Sequence, residues 1–484
     1  MGKRKAKGGI EAAAGRQIRC RRLAVVWLAL GIMLAVTSCG SEQGSRFGIN
    51  GYVYIPRMID GGADGDDGQL VWTNNSCPRS FKVAGDFLYY VQYSSDGRMG
   101  FIKRLNLGGE LDFSKGETVI SANSVSAYTV DEEQNLYWFE NSLGDKGSRL
   151  HKVSPKGEIL YDVFLEGNTA GARLTDSLAV DGEGNVFLLV MGKILKLDRD
   201  GNLVSEAVTN ENHDNRIIVG REYLLETVEG NVYYVYSEHG CKVWECKGSN
   251  DLRLDEVSAL GGSGVFRLYK GKSGILATDS REVLYEYRKG QEEPAALLRW
   301  QESNMMGMEI EEVVPVSEDR ILALHMAGEL YLLEKTPVSE LPQKEEVILA
   351  SLNPEESLRQ AVINFNRTND KYYVRIEEYG GNQFQGKEGI QEGAVVRLDS
   401  AVSSSSECPD LLDLAGLDVH KYAGKGALED LSPYLENGGI RREDFLENAL
   451  EGYTINGRLV CIPKFFSFNT IAGRTKQVGA GAGW

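Results

Sequence analysis

Histidine is scarce in this sequence. Five of its 484 residues are His, and none stands at a metal-ligand spacing from another His or from a Cys. His239 and Cys241 come nearest, so no zinc site is expected. Cysteine is sparse as well, with Cys20, Cys39, Cys77, Cys241, Cys246, Cys408 and Cys461 making up the set. Five of these lie beyond residue 39, an odd number, which argues against a disulfide framework. Cys241 and Cys246 stand close enough in sequence to pair, but two independent, semi-buried thiols are the better reading. Basic residues are outnumbered, 53 Lys and Arg against 70 Asp and Glu, for a formal net charge of −17. The first 38 residues hold eight Lys or Arg and one Glu, so the rest of the chain carries about −24. Nucleic acid is thereby excluded as a partner, because phosphate binding needs a basic face. Long apolar runs are also lacking. The stretch Leu23 to Val36 has 14 uncharged residues, short of the roughly 20 that a membrane-spanning helix needs.

That short run organises the N-terminus. It follows a basic head containing Lys3, Arg4, Lys5, Lys7, Arg16, Arg19, Arg21 and Arg22, and it gives way to small residues. Basic head, apolar stretch and small residues form the layout of a secretory signal peptide. Val36-Thr37-Ser38-Cys39 resembles a bacterial lipobox. The resemblance implies cleavage before Cys39 and lipidation of its thiol by diacylglycerol, with an N-acyl chain as a further addition. Two acyl chains suffice for stable anchoring. Residues 1–38 then form a lipoprotein signal, and 39–50 the lipidated Cys and a polar tether. The expected location is the extracytoplasmic face of the cell membrane. A single transmembrane helix is the competing reading.

From about Phe81 to Leu333 the chain repeats itself. The unit is a short apolar or aromatic strand: Phe87 to Val91, Leu136 to Phe139, Val186 to Val190, Val232 to Tyr236, Ile275 to Ala277 and Ile321 to Leu324. Successive starts are 49, 50, 46, 43 and 46 residues apart. Turn residues precede most of them, such as Gly85-Asp86, Gln134-Asn135 and Gly230-Asn231. Second strands follow in several units, as at Ile194-Leu-Lys-Leu197. A self-similar all-strand unit in the mid-forties is the signature of a β-propeller. The expectation is a propeller-like domain over 51–335 with about six or seven blades. The early strand at Tyr52 either starts a seventh blade or closes the ring. Alternation around Ile194 places Ile194 between blades and Lys193 and Lys196 outward.

Chemistry within this region is not evident. Gly271-Lys-Ser273 has six residues after Gly264 where a phosphate loop has four, and it reads as a turn. Asp198-Arg-Asp-Gly-Asn202 reads first as a hairpin turn. The acidic stretch Asp60 to Gly68 misses the calcium-loop spacing. Trp138, Trp244 and Trp300 suit an inter-blade core better than a sugar platform.

The pattern changes beyond a linker at 336–345. Glu346 to Ser351 reads as a strand, Asn353 to Asn369 as an amphipathic helix, and Tyr372 to Tyr379 as a second strand. Asn353 can cap that helix, Pro354 suits its first turn, and Leu358, Ala361, Val362 and Phe365 share one face. A helical stretch, Glu392 to Ser400, precedes a third strand, Pro409 to Leu414. Strand, helix, strand, helix, strand is an α/β unit with a parallel sheet.

Ala361 to Asn366, the Tyr372 to Tyr379 strand, Pro409 to Leu414, Tyr422 to Tyr434, Asn456 to Pro463 and Gly483-Trp484 resemble, in that order, the opening of family 1 extracellular solute-binding proteins. These are the sugar-type receptors of ABC importers. The resemblance covers about 346–484 and implies an incomplete α/β periplasmic-binding-protein-like lobe. It implies ligand beyond the carboxyl ends of the strands, with Tyr379 and Phe465 as stacking platforms and Asp413 as a hydroxyl acceptor. The expected function is carbohydrate capture for an ABC importer by a membrane-anchored lipoprotein, with the propeller for interaction or glycan presentation. Such receptors close two lobes on ligand, so the chain by itself is expected to bind sugar weakly or not at all. The alternatives are a surface scaffold or ligand sensor not coupled to transport, and a propeller glycosidase or lyase. The last needs a facing carboxylate pair that no spacing selects, so no catalytic residue, metal or further cofactor is expected. An ABC permease or another surface protein is the expected partner.

Overall fold

The computed structural model describes residues 47–59, 77–95, 99–123, 125–140, 148–165, 177–190, 192–209, 221–238, 240–258, 260, 264–279, 282–289, 291, 293–380, 388–404, 408–437 and 441–463. They fall into two compact units, one within 43–342 and the other from residue 343 onward.

The first unit opens with β1 (Tyr52–Met58) and continues as six four-stranded antiparallel sheets. Blade 1 is β2 (Arg79–Ala84), β3 (Phe87–Tyr93), β4 (Gly100–Asn106) and β5 (Glu117–Ala122). Blade 2 is β6 (Ala127–Val130), β7 (Leu136–Glu140), β8 (Ser148–Val153) and β9 (Ile159–Leu165). Blade 3 is β10 (Leu178–Val180), β11 (Val186–Val190), β12 (Lys193–Leu197) and β13 (Leu203–Val208). Blade 4 is β14 (Arg221–Glu226), β15 (Val232–Ser237), β16 (Cys241–Lys247) and β17 (Arg253–Glu256). Blade 5 is β18 (Val265–Lys270), β19 (Ile275–Asp279), β20 (Val283–Tyr287) and β21 (Ala295–Arg299). Blade 6 is β22 (Ile310–Pro315), β23 (Arg320–His325), β24 (Leu330–Pro337) and, as its fourth strand, β1.

The first strands of the blades lie side by side as β2, β6, β10, β14, β18 and β22, and β22 returns to β2. This closed ring is a six-bladed propeller arrangement. The strand at Tyr52 therefore starts no seventh blade. It runs antiparallel to β24 from Tyr52 opposite Pro337 to Met58 opposite Tyr331. Val53 and Tyr54 are buried there, Tyr54 in a cluster with Trp300 and Leu333. The last blade is thus completed by the first strand of the unit, which ties the two ends of the ring together. β24 continues to Pro337, so the strand outlasts residue 335 by two residues.

Each apolar stretch of the sequence repeat falls on the second strand of a blade. That strand has a hydrogen-bonded neighbour on both sides and a packed blade on both faces. All five residues of Val186–Val190 are buried as a result. Fourth strands are exposed, as in β13, and carry no comparable signal. The turns between first and second strands are built from side chains. Asp131 Oδ1 accepts from the Asn135 amide at 2.8 Å and Asp181 Oδ1 from the Asn185 amide at 2.8 Å. Asp198 repeats the motif between β12 and β13, where the Asn202 amide and side chain hydrogen-bond its carboxylate. These bonds lower the Asp198 pKa.

Ile194 is buried between blades, but Lys196 does not point outward. It is 4 % exposed, donates to the Gly248 carbonyl of blade 4 at 2.7 Å, and holds its ammonium 5.3 Å from the Phe187 ring centroid. Packing of the next blade covers this position, and the long side chain reaches a carbonyl acceptor instead of solvent. Trp300 is fully buried, Trp138 stacks on His151 at 4.4 Å, and Trp244 packs against Tyr234 at 5.2 Å. Cys241 and Cys246 are both free thiols.

The second unit contains β25 (Glu345–Ser351), α1 (Glu356–Thr368), β26 (Tyr372–Glu378), α2 (Glu388–Ser403) and β27 (Leu411–Leu412). The sheet order is β26-β25-β27 and both pairings are parallel. Leu358, Val362, Ile363 and Asn366 form the buried face of α1. The Asn366 amide pairs with the backbone N–H and C=O of Val374, at 2.7 and 2.8 Å, so the buried polar group is satisfied. Lys344 closes the carboxyl end of α1, donating to the carbonyls of Asn366 and Asn369 at 3.1 and 2.7 Å. Asn353 is not the cap: the helix begins at Glu356, with Glu355 in the cap position and no side-chain bond. Asn353 instead lies against Gly380, where a Cβ would come within 2.3 Å of its Oδ1. Three short helices follow, α3 (Val419–Gly424), α4 (Ser432–Asn437) and α5 (Glu447–Gly452). A hairpin of β28 (Thr454–Ile455) and β29 (Arg458–Leu459) turns at Asn456-Gly457, both with positive φ, as a two-residue Asn-Gly turn requires.

Candidate functional site

The inner strands of the propeller bring charged side chains to its axis. Glu226, the last residue of β14, is 4 % exposed. Its Oε2 accepts from Thr129 Oγ1 of β6 at 3.0 Å and from the Val180 amide of β10 at 3.3 Å. Its Oε1 accepts from Lys270 Nζ of β18 at 3.2 Å. Burial pushes the Glu226 pKa up, but attraction to Lys270 and then Lys82, with the Thr129 hydrogen bond, outweighs it and holds the group below the ordinary glutamate range. Strands of five blades thus converge on one carboxylate.

At the amino ends of the same strands the charges are also engaged. Arg267 donates to the carbonyls of Ile310 and Glu311 at 3.1 and 2.5 Å. Arg221 lies 3.6 Å from the Glu311 carboxylate. Glu312 accepts from the amides of Ser80 and Phe81 at 2.6 and 2.8 Å, stitching blade 6 to blade 1. Between the two ends lies a cavity of about 210 Å³ walled by β2, β14, β18 and β22. Neighbouring turns crowd the Glu226 end. The Gly182 amide donates to the Gly230 carbonyl at 3.0 Å. A Cβ on Gly230, whose φ is +78°, would fall 2.5 Å from Gly182 Cα.

In the second unit the carboxyl edge of the parallel sheet gathers Ser351, Tyr379 and Asp413. Asp413 follows β27 and is buried. Its Oδ2 accepts from Ser351 Oγ at 2.7 Å and its Oδ1 from the Ala415 amide at 3.1 Å. Tyr379 donates its amide to the Ser351 carbonyl at 2.9 Å, and Arg397 donates to the Tyr379 carbonyl at 2.7 Å. The Tyr379 side chain packs, partly buried, on the cluster that includes Leu352, Leu398 and Leu412. Cys461 belongs to that cluster, and burial, with the charge of Asp413 added, pushes its thiol up to about 12. Phe465 and Cys39 lie outside the described residues. Among the described residues, no three His, Cys, Asp or Glu side chains gather as a metal site, and no helix is long and apolar enough to cross a membrane.

Sequence reading did not single out Glu226, Lys82, Lys270 or Glu312. Their signal was slight: in Tyr223-Leu-Leu-Glu226 one charge ends an apolar strand. A charge on a strand is ordinary, and only ring closure brings these strands together around one axis.

No protein-family model matches this chain, and no curated protein matches it. Among solved structures it is similar to BamB from Moraxella catarrhalis, at 14% identity, over 52% of this chain and 68% of that one, with a TM-score of 0.28. It is also similar to the N-terminal domain of Nup159, at 12% identity, over 54% of this chain and 76% of that one, with a TM-score of 0.30. At these values neither likeness carries an argument, and the propeller assignment rests on the ring of six sheets.

Proposed function

We propose that this chain is an anchored extracytoplasmic binding protein, a lipoprotein through Cys39, whose C-terminal α/β unit takes a carbohydrate for delivery to an ABC importer. On this reading it binds and does not catalyse. The observation that carries it is the parallel β26-β25-β27 sheet with Ser351 and Asp413 hydrogen-bonded at its carboxyl edge. Open parallel sheets take ligands at that edge. A carboxylate fixed there is a suitable acceptor for sugar hydroxyls, since two donors already hold its orientation.

The test is amide NMR of the full chain against a panel of neutral mono- and disaccharides at millimolar concentration. At least one sugar should shift the amides of Ser351, Tyr379 and Asp413 together, and Asp413→Asn should abolish the response. A panel that leaves all three amides unmoved defeats the carbohydrate reading.

A second reading, a surface scaffold not coupled to transport, is favoured by the outer strands of blades 2 and 3. Ile159 and Leu160 of β9 are 73 % and 50 % exposed, and Leu203 and Val208 of β13 are 58 % and 62 % exposed. Apolar exposure on adjoining blades suits contact with another protein.

A further inference from the structure

The axial cavity of the propeller takes no part in the proposed sugar site. We infer that it binds a small organic carboxylate with an apolar body, held at its charged end by Lys82.

Charge selects the sign of the ligand. Five Lys or Arg and three Glu line the cavity, although the chain as a whole carries −17. The three carboxylates are committed. Glu226 takes three hydrogen bonds, Glu312 takes two backbone amides, and Glu311 faces Arg221. None is left to receive a cation. Among the cations, Arg221, Arg267 and Lys270 are likewise engaged. Among the described residues Lys272 reaches the exposed Glu318, at 3.4 Å. The Lys82 ammonium makes no hydrogen bond or close ion pair among the described residues. It attracts the Glu226 carboxylate. That Lys270 and Lys82 together lower the Glu226 pKa against its burial also marks the local potential as positive.

Size and wall chemistry select the rest. One water needs roughly 10–15 Å³ of such space, so a cavity of about 210 Å³ has room for a small organic molecule. Val83, Leu225, Val228 and Val314 contribute apolar wall. One free ammonium suits a monoanion. A phosphate dianion calls for several donors and backbone amides, and the amide of Phe81, which lines the cavity, is already taken by Glu312.

The probe is benzoate, with benzamide as its neutral near-isostere, titrated into the full chain and followed by calorimetry and ligand-observed NMR. Benzoate should saturate one site per chain, with benzamide at least about tenfold weaker, the scale of one charge-assisted hydrogen bond. Lys82→Gln should weaken benzoate by at least about tenfold and leave benzamide unchanged, while Lys82→Arg retains most of the affinity. Val228→Trp, at an exposed wall position outside the charge network, should block both probes. Absence of saturation, equal affinity for the two probes, or benzoate binding indifferent to both Lys82→Gln and Val228→Trp would overturn the inference.

Discussion

Glu226 sits at the carboxyl end of β14 with donors from β6, β10 and β18 around it. A buried carboxylate in this position costs stability unless every donor is in place, and removing one side of a buried pair leaves the other charge uncompensated. Glu226→Ala should therefore destabilise the propeller by about 3–5 kcal/mol in urea unfolding at neutral pH. A loss below about 1 kcal/mol would show that the network contributes little. The pH dependence has a definite sign. The folded-state pKa of Glu226 is lowered, so the unfolded chain binds more protons between the two values. Its contribution is fully present above the ordinary glutamate pKa and is lost as pH falls through the folded value. The difference in stability between wild type and Glu226→Ala should shrink as the pH is lowered across that acid window. Little of this was readable beforehand. The family resemblance points to Asp413, because it places ligand beyond the carboxyl ends of the strands, whereas Glu226 ends a strand like any other.

Strand β1 belongs to blade 6 although Met58, its last residue, stands 252 positions before Ile310, where the first strand of that blade opens. Its burial does not alternate: the adjacent Val53 and Tyr54 are both buried, and Ile55, two residues on from Val53, is 38 % exposed. Val53→Asp places an unpaired charge in the seam that closes the ring and should cost at least about 3 kcal/mol. Ile55→Asp in the same strand should stay within about 0.5 kcal/mol. Equal effects in urea unfolding would mean that β1 does not close the blade. Elements were legible in proportion to their burial. The second strand of every blade stood out because both its faces are covered. The fourth strands did not, because exposed strands tolerate polar residues without period. In the α/β unit the strands and α1 were legible, but the start of α1 was not, since Asn353 packs at Gly380 and leaves the cap to Glu355.

At the scale of the whole molecule, the N-terminal sequence bears on where the protein resides. If Cys39 carries the lipid, Cys39→Ser should move the protein from the membrane fraction to the soluble fraction of a cell lysate. Tight retention of the variant would restore a transmembrane segment. The propeller is held together by pairings distant in sequence: β1 with β24, Glu312 with the amides of β2, and Glu226 with strands of neighbouring blades.

By itself the sequence determined the repeat, the class of the domain it builds, and the change to a parallel α/β pattern after it. Those follow from local hydrophobic period and from turn residues, which act within a few residues of one another. The blade number, the role of β1, the inward turn of Lys196 and the charged axis were decided only by tertiary structure. Each depends on which strands become neighbours when the ring closes, and closure joins side chains whose positions in the chain carry no mark of the meeting.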